Sequence, residues 1–560
     1  MMKKIGPSIV FLMILATAFF SCQKAGDETE SVLTSISAET LSKNTRVLAS
    51  DEFEGRFPAS AGEEKTVTFL EAEFQKLGLN PGNGDSFFQD MPMVEITADP
   101  GMKLTVAKKK AGAPLAATFA FGHEFVAATM RVVPEASLKR SEMIFVGYGI
   151  VAPEYNWNDY QGLDVKGKTV VILINDPGFV ANDPAFFEGK AMTYYGRWTY
   201  KYEEAARRGA EGALIVHETE PAAYGWGVVE KGWSGPKLSL VNKDNNLSRC
   251  AAEGWLQLAT TRKIFEMAGL NFDELKNAAA KPGSRAVPLG LEASVVLKNN
   301  IRQSVSRNVI ARIPGKTKPD EYIIYVSHWD HFGLDPKLKG DNIYNGARDN
   351  ATGTAGLIEL GRAFKKLKTP PSRSVVFLAV TGEEQGLIGS GYYAVHPIYP
   401  STKTAAVINM DALNVYGKMK DVTVVGYGKS QLDAYVEAAA KEQGRIVRPD
   451  PAPEKGGYFR SDHFPFAKQG IPAIYIGSGI DSVEHGEEWT KIKVEQYTAE
   501  RYHKPTDEFD PSWDFSGAIE DLRLMFKVGY ALSNESLFPN WKEGTSYKAI
   551  RDADMAATKK

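Results

Sequence analysis

From Ser306 onward, short runs that are apolar at nearly every position alternate with longer stretches whose apolar residues recur at helical spacing. Residues 321–331 (EYIIYVSHWDH), 374–384 (SVVFLAVTGEE), 404–414 (TAAVINMDALN) and 470–477 (GIPAIYIG) read as strands. Residues 350–367 and 430–444 read as helices between them. Strands without a polar face must be covered on both sides, which predicts an α/β domain with a mostly parallel mixed sheet sandwiched by helices. Two earlier stretches, 38–56 and 62–82, read as amphipathic helices, and the second closes on Gly-Leu-Asn-Pro-Gly, a stop signal. Between 102 and 297 the texture changes. The runs 141–151, 167–176 and 213–218 predict strands around a helix at 200–212, a compact α/β insert with its own small core. The predicted organisation is a leader at 1–21, a polar tether at 22–37, and a main domain in two parts, 38–101 and 298–545. The insert 102–297 interrupts it, and a tail follows at 546–560.

Composition changes this picture little. The 560 residues are 43% hydrophobic and 24% charged with a formal charge of -3, an ordinary globular balance with room for two or three domains. No basic stripe is present, so nucleic acid is not an expected partner. The N-terminus adds more. Lys3 and Lys4 precede an apolar stretch from Ile9 to Phe20, then Ser21 and Cys22, which fits a signal peptide and is short for a bilayer span. The pattern resembles a bacterial lipoprotein signal, with Cys22 as the lipidated residue. Phe19 departs from the Leu usual there, and plain secretion is the alternative. The expectation is an exported protein, either a lipoprotein anchored in a bacterial cell envelope through Cys22 alone or a periplasmic or secreted one. Cys250, the one other cysteine, has no nearby His or Cys and reads as structural.

The candidate chemistry lies at the predicted strand ends, where ligands bind in parallel α/β sheets. One such end carries His328, Asp330 and His331, and the next loop carries Asp349 and Asn350. A third carries Glu383 and Glu384, a fourth Asp411, and a later loop Tyr502 and His503. Each has a bland alternative alone: a helix cap, a turn residue, a solvated charge. Their convergence on one edge of one sheet is what argues for metal. Adjacent glutamates closing a buried strand need a cation or a proton to offset their charge.

The order His-x-Asp, Asp-Asn, Glu-Glu, Asp, His resembles the M28 family of co-catalytic zinc peptidases, the aminopeptidase and glutamate carboxypeptidase group. The resemblance covers roughly 38–102 and 306–536, and "SDHFPFAKQGIPA" after Arg460 extends it. The insert resembles a protease-associated (PA) domain through "VGYGIV", "VKGKTVVIL" and "ARRGAEGALIV". No His-Glu-x-x-His helix is present, so a thermolysin-like site is not available. The resemblance implies two Zn2+ ions per chain and peptide substrates, the main domain being the peptidase domain. It assigns His328 and Asp411 to one ion, Glu384 and His503 to the other, and Asp349 to both, with a cis peptide after Asp349. It makes Glu383 the general base and Asp330 the residue that hydrogen-bonds His328 and fixes its tautomer. Two divalent ions about 3.5 to 4 Å apart need such a shared carboxylate to offset their repulsion. Tyr502 is either a donor to the developing oxyanion or a packed aromatic. His331 and His463 read as loop-packing or pocket-wall residues, and Arg460 as a possible pocket residue without an assigned partner. His123, His217, His396 and His485 receive no role.

The expected activity is therefore exopeptidase cleavage at the N-terminus of peptides. The alternatives within enzymes are a glutamate carboxypeptidase-like enzyme, which needs basic groups for a C-terminal carboxylate, and a glutaminyl cyclase-like single-zinc acyltransferase. From another class, a non-catalytic binding protein on the same scaffold would have no reason to hold two ions. Residue preference, peptide length, native metal and oligomeric state are not legible.

Overall fold

The computed structural model describes residues 29–109 and 116–557. The leader and Cys22 lie outside the described residues. The chain forms two compact units. One comprises Met91–Ser306 with Asp450–Arg460; the other comprises the described residues up to Asp90, Arg307–Pro449, and the chain from Ser461 onward.

In the second of these, four strands run parallel in the spatial order Arg373–Val380, Lys318–His328, Thr404–Asn409 and Ala473–Gly477. Antiparallel pairings extend the sheet at both ends. The last residues of Val287–Ile313 pair with Arg373–Val380, and Asp421–Val425 pairs with Ala473–Gly477 and in parallel with Ile446–Pro449. The middle positions of these strands, Ile323–Val326, Val375–Val380 and Ala405–Ile408, are apolar without alternation because both faces are covered. Ile323, Tyr325, Val375 and Phe377 enter one core, with the helices Ala38–Leu48, Thr352–Lys365 and Ser516–Asn534 packed over it. Ile324, Val326, Val376 and Leu378 enter a second core on the other face, with Tyr393 of Ile388–Val395 and Phe466 of His463–Lys468. This is the expected mixed α/β layer structure, and it places the strand ends after His328, Val380 and Asn409 along one edge.

Several elements differ from the sequence reading, each for a local reason. The helix expected over 38–56 stops at Leu48. A 3-10 turn, Asp51–Arg56, follows it, with Glu54 and Gly55 in the left-handed region at φ 50° and 65°. The proposed tether is structured from residue 29: residues 29–35 are helical, and Val32, Leu33 and Ile36 are buried in the main core. The proposed tail contains the helix Ser546–Ala557, tied down by buried Arg551, whose guanidinium donates to Ser401 O at 2.7 Å and Thr404 O at 2.9 Å.

In the other unit the strands Thr169–Leu173, Gly212–Val216 and Ala252–Leu256 are parallel neighbours, with Phe125–Ala128 antiparallel at one side. The strand expected at 141–151 ends at Phe145, because Gly147 and Gly149 turn the chain at φ 59° and 62°. The unit begins earlier than residue 102, since Met93–Ile96 pair with Lys237–Leu240. It also includes the loop 450–460, where Met192 N donates to Pro453 O at 3.2 Å and Phe459 packs on Tyr194. No helix among the described residues is long and apolar enough to cross a membrane.

Candidate metal centre

Five loops of the peptide chain meet at one edge of the parallel sheet. His328 closes the strand Lys318–His328, and its Nε2 lies 3.4 Å from Oδ1 of both Asp349 and Asp411. The other oxygen of Asp349, Oδ2, lies 3.4 Å from His503 Nε2, which is 3.1 Å from Glu384 Oε2. Asp349 therefore stands between two groups, one oxygen toward each. All five residues for which the resemblance implies metal ligation are brought together, and the peptide Asp349–Asn350 is cis.

Local hydrogen bonding aims these side chains. The buried carboxylate of Asp507 accepts from Asp349 N at 3.1 Å and Arg348 N at 3.2 Å. Asn350 Oδ1 accepts from Gly353 N and Ala412 N, both at 3.0 Å, so it ties the loop of Asp349 to that of Asp411. Asp411 Oδ2 accepts from Ser461 Oγ at 2.7 Å. Behind the site the buried guanidinium of Arg56 donates to the carbonyls of Leu48, Trp329 and Gly346 at 2.7 to 2.9 Å. Such a cation offsets part of the negative charge in front of it. Burial lowers its pKa to about 10, against the opposing pull of Asp330, Asp507 and Asp349.

Asp330 does a different job from the one expected. Its carboxylate is 3.8 Å from His328 Nδ1, which instead meets the Asp330 backbone carbonyl at 3.2 Å. The carboxylate accepts from Glu383 N at 3.0 Å and Glu384 N at 3.4 Å. It fixes the glutamate loop, and the main chain orients the imidazole. Burial raises the Asp330 carboxyl to about 7.

His331, read from sequence as a packing residue, also belongs to the cluster. Its Nδ1 is 2.7 Å from Glu384 Oε1, and His331, Asp349 and Glu384 present ligand atoms within 4.8 Å of one another. His328, Asp349 and Asp411 form a second such group, sharing Asp349. The His-x-x-His spacing of 328 and 331 was the available signal; Asp507, Ser461 and Arg56 carried none. Tyr502 stacks on His503 at 3.7 Å and is 43% exposed. Loss of water around the phenol and the nearby Asp349, Glu384 and Glu383 push its pKa well above the ordinary value.

The adjacent glutamates are driven apart electrostatically. Burial raises Glu383, and Glu384, Asp411 and Asp462 add to the rise. Burial also opposes the charge of Glu384, but His503 and His331 outweigh it and hold that carboxyl near 2. Neighbouring groups with opposed shifts mark distinct chemical roles.

A cation fits this donor set. Asp349 and Asp411 present oxygens within 4.8 Å. Two like unit charges at that distance repel by about 3.5 kcal/mol at an effective dielectric of 20. His331 Nε2 is buried without a hydrogen-bond partner, a cost of about 1–3 kcal/mol unless a ligand or ion satisfies it. Imidazole and carboxylate together suit zinc.

Imidazoles and carboxylates gathered at the strand ends of a parallel α/β sheet form a candidate metal-binding centre. Residues 308–526, about two fifths of the chain, match Peptidase family M28. The chain is 32% identical over 160 residues to mouse (Mus musculus) "Aminopeptidase NAALADL1", covering 28% of this chain and 20% of that protein. It is 26% identical over 232 residues to "Aminopeptidase YwaD" of Bacillus subtilis, covering 41% and 45%. The matches thus span from a fifth to about half of these relatives' lengths. The fold is shared with an aminopeptidase structure from Aneurinibacillus sp. strain AM-1, at 20% identity and TM-score 0.51, over 91% of this chain and 97% of that one.

Proposed function

We propose that this protein is an exported zinc aminopeptidase that holds two ions. The observation that carries the reading is Asp349, whose two oxygens face two separate sets of ligands. His328 and Asp411 would hold one ion; Glu384 with His503 would hold the other, with His331 against the same carboxylate. Ions so held lower the pKa of water and polarise the scissile carbonyl.

The chain's own residues do the rest. Glu383, raised in pKa by burial, takes the proton of the attacking water on its carboxylate and returns one to the leaving amine. Asp330 holds the Glu383 backbone in place through the 3.0 Å bond to its N–H. Tyr502 offers a neutral phenolic O–H to charge developing on the carbonyl oxygen. The family resemblance favours aminopeptidase over carboxypeptidase action. The curated aminopeptidase relatives support the same choice. The lysine-flanked apolar leader supports export, with lipid on Cys22.

A panel of peptides tests the activity. Free-amine peptides should be trimmed from the N-terminus, C-terminally amidated ones equally well, and N-acetylated ones at least about a hundredfold more slowly. Cleavage that survives N-acetylation but not C-terminal amidation would establish a carboxypeptidase instead. Pyroglutamate formation from N-terminal glutamine would establish a cyclase.

A further inference from the structure

Beside the metal-binding loop lies a cavity of about 750 Å3, within the range of small-molecule sites. One wall is Arg348, next in sequence to Asp349 but absent from the centre's chemistry. It is 7% exposed, and its guanidinium lies between two tyrosine rings, 4.7 Å from Tyr416 and 4.3 Å from Tyr497. Nη1 donates to Tyr416 Oη at 2.9 Å. Nε has no acceptor, and no carboxylate of the described residues pairs with the guanidinium. A buried arginine without an anion is costly, and its planar fork matches a carboxylate.

The remaining walls carry the complementary features. Trp489 and Trp513 line the cavity, Trp489 with the His485 ring packed against it at 4.4 Å. Trp489 lies edge-on to Tyr416 at 6.2 Å and is only partly buried. Asp514 and Glu500 also line it. Of the other cations, Arg501 is drawn to Asp510, Lys418 to Glu520, and Lys493 lies over the Trp489 ring at 5.6 Å. A cavity with an unpaired guanidinium at one place and carboxylates at another suits a zwitterion better than a phosphate, which the carboxylates would repel.

We propose that this cavity binds a free aromatic amino acid, its carboxylate on Arg348, its ammonium toward Asp514 and Glu500, and its ring against Trp489 and Trp513. That such an amino acid is also a product rests on the aminopeptidase reading above. Binding is measured without that reading, so the two fail separately.

Isothermal titration calorimetry on the full chain, zinc-loaded and chelated, with L-tryptophan, tryptophan amide and indole-3-propionate, tests it. No proposed metal ligand lines the cavity, so tryptophan should bind both forms. The amide, lacking the carboxylate, and the propionate, lacking the ammonium, should each bind at least tenfold more weakly. Arg348→Gln should abolish the difference between tryptophan and its amide. Trp489→Ala, at a partly exposed position, should weaken tryptophan at least tenfold, and it decides the matter if Arg348→Gln does not fold. Absence of binding, or amide binding as tight as tryptophan, would overturn the proposal. So would binding confined to the zinc-loaded protein and unchanged in both variants, since the ligand would then sit on the metal cluster.

Discussion

Replacing Glu383 with glutamine should lower turnover by about a hundred- to ten-thousandfold, the usual contribution of a general base, or about 3 to 5 kcal/mol of activation free energy. The substitution keeps size and shape and removes only the proton acceptor. Substrate affinity should change far less than turnover. Zinc content should stay as in the parent, because Glu383 is in neither of the two groups that present ligand atoms to a common point, while Glu384 is in one of them. Glu384→Gln should show the opposite phenotype, with weakened zinc retention that excess metal partly restores. Steady-state kinetics and metal analysis on the two variants separate the roles. An active Glu383→Gln beside a dead, fully metallated Glu384→Gln would reverse them.

The second large effect is expected at Asp349. Substitution by alanine should remove zinc from both positions and lower activity at least about a hundredfold, because its oxygens face His328 on one side and His503 on the other at 3.4 Å each. His328→Ala or Asp411→Ala should impair one position only, and Glu384→Ala or His503→Ala the other. Loss of a residue outside the direct ligands typically costs about 10- to 100-fold in metal affinity, so a larger, two-site loss distinguishes a shared ligand from a supporting one. Zinc retained on dialysis gives the comparison, with circular dichroism confirming that Asp349→Ala stays folded. If it loses one ion and keeps the other tightly, Asp349 serves a single site.

Much of this arrangement was legible because it depends on periodicity and residue type. Ile323 to Val326 and Val375 to Leu378 are apolar at consecutive positions, which only a sheet covered on both faces requires. Carboxylates and imidazoles at the ends of such strands then stand on one edge whatever the loops do. The errors fell where loop path decides side-chain direction. His331 reaches Glu384 because the chain after His328 turns back toward the glutamate loop. That turn has no signature in the apolar pattern. Asp330 was read as a partner of the His328 ring, yet its carboxylate reaches across the sheet edge to the backbone of Glu383 and Glu384. That contact follows from strand register, which spacing along the chain does not specify. The residues from 29 to 37 read as polar tether because their three buried apolar side chains are too few to show a period.

Zinc content of the purified, folded protein, measured by inductively coupled plasma mass spectrometry alongside aminopeptidase activity during stepwise zinc titration of the chelated protein, tests the central claim most directly. Two ions per chain should bind, and activity should be lost on chelation and return as the positions fill. An active enzyme that holds no more than one tightly bound ion, or full activity after complete chelation, would contradict it.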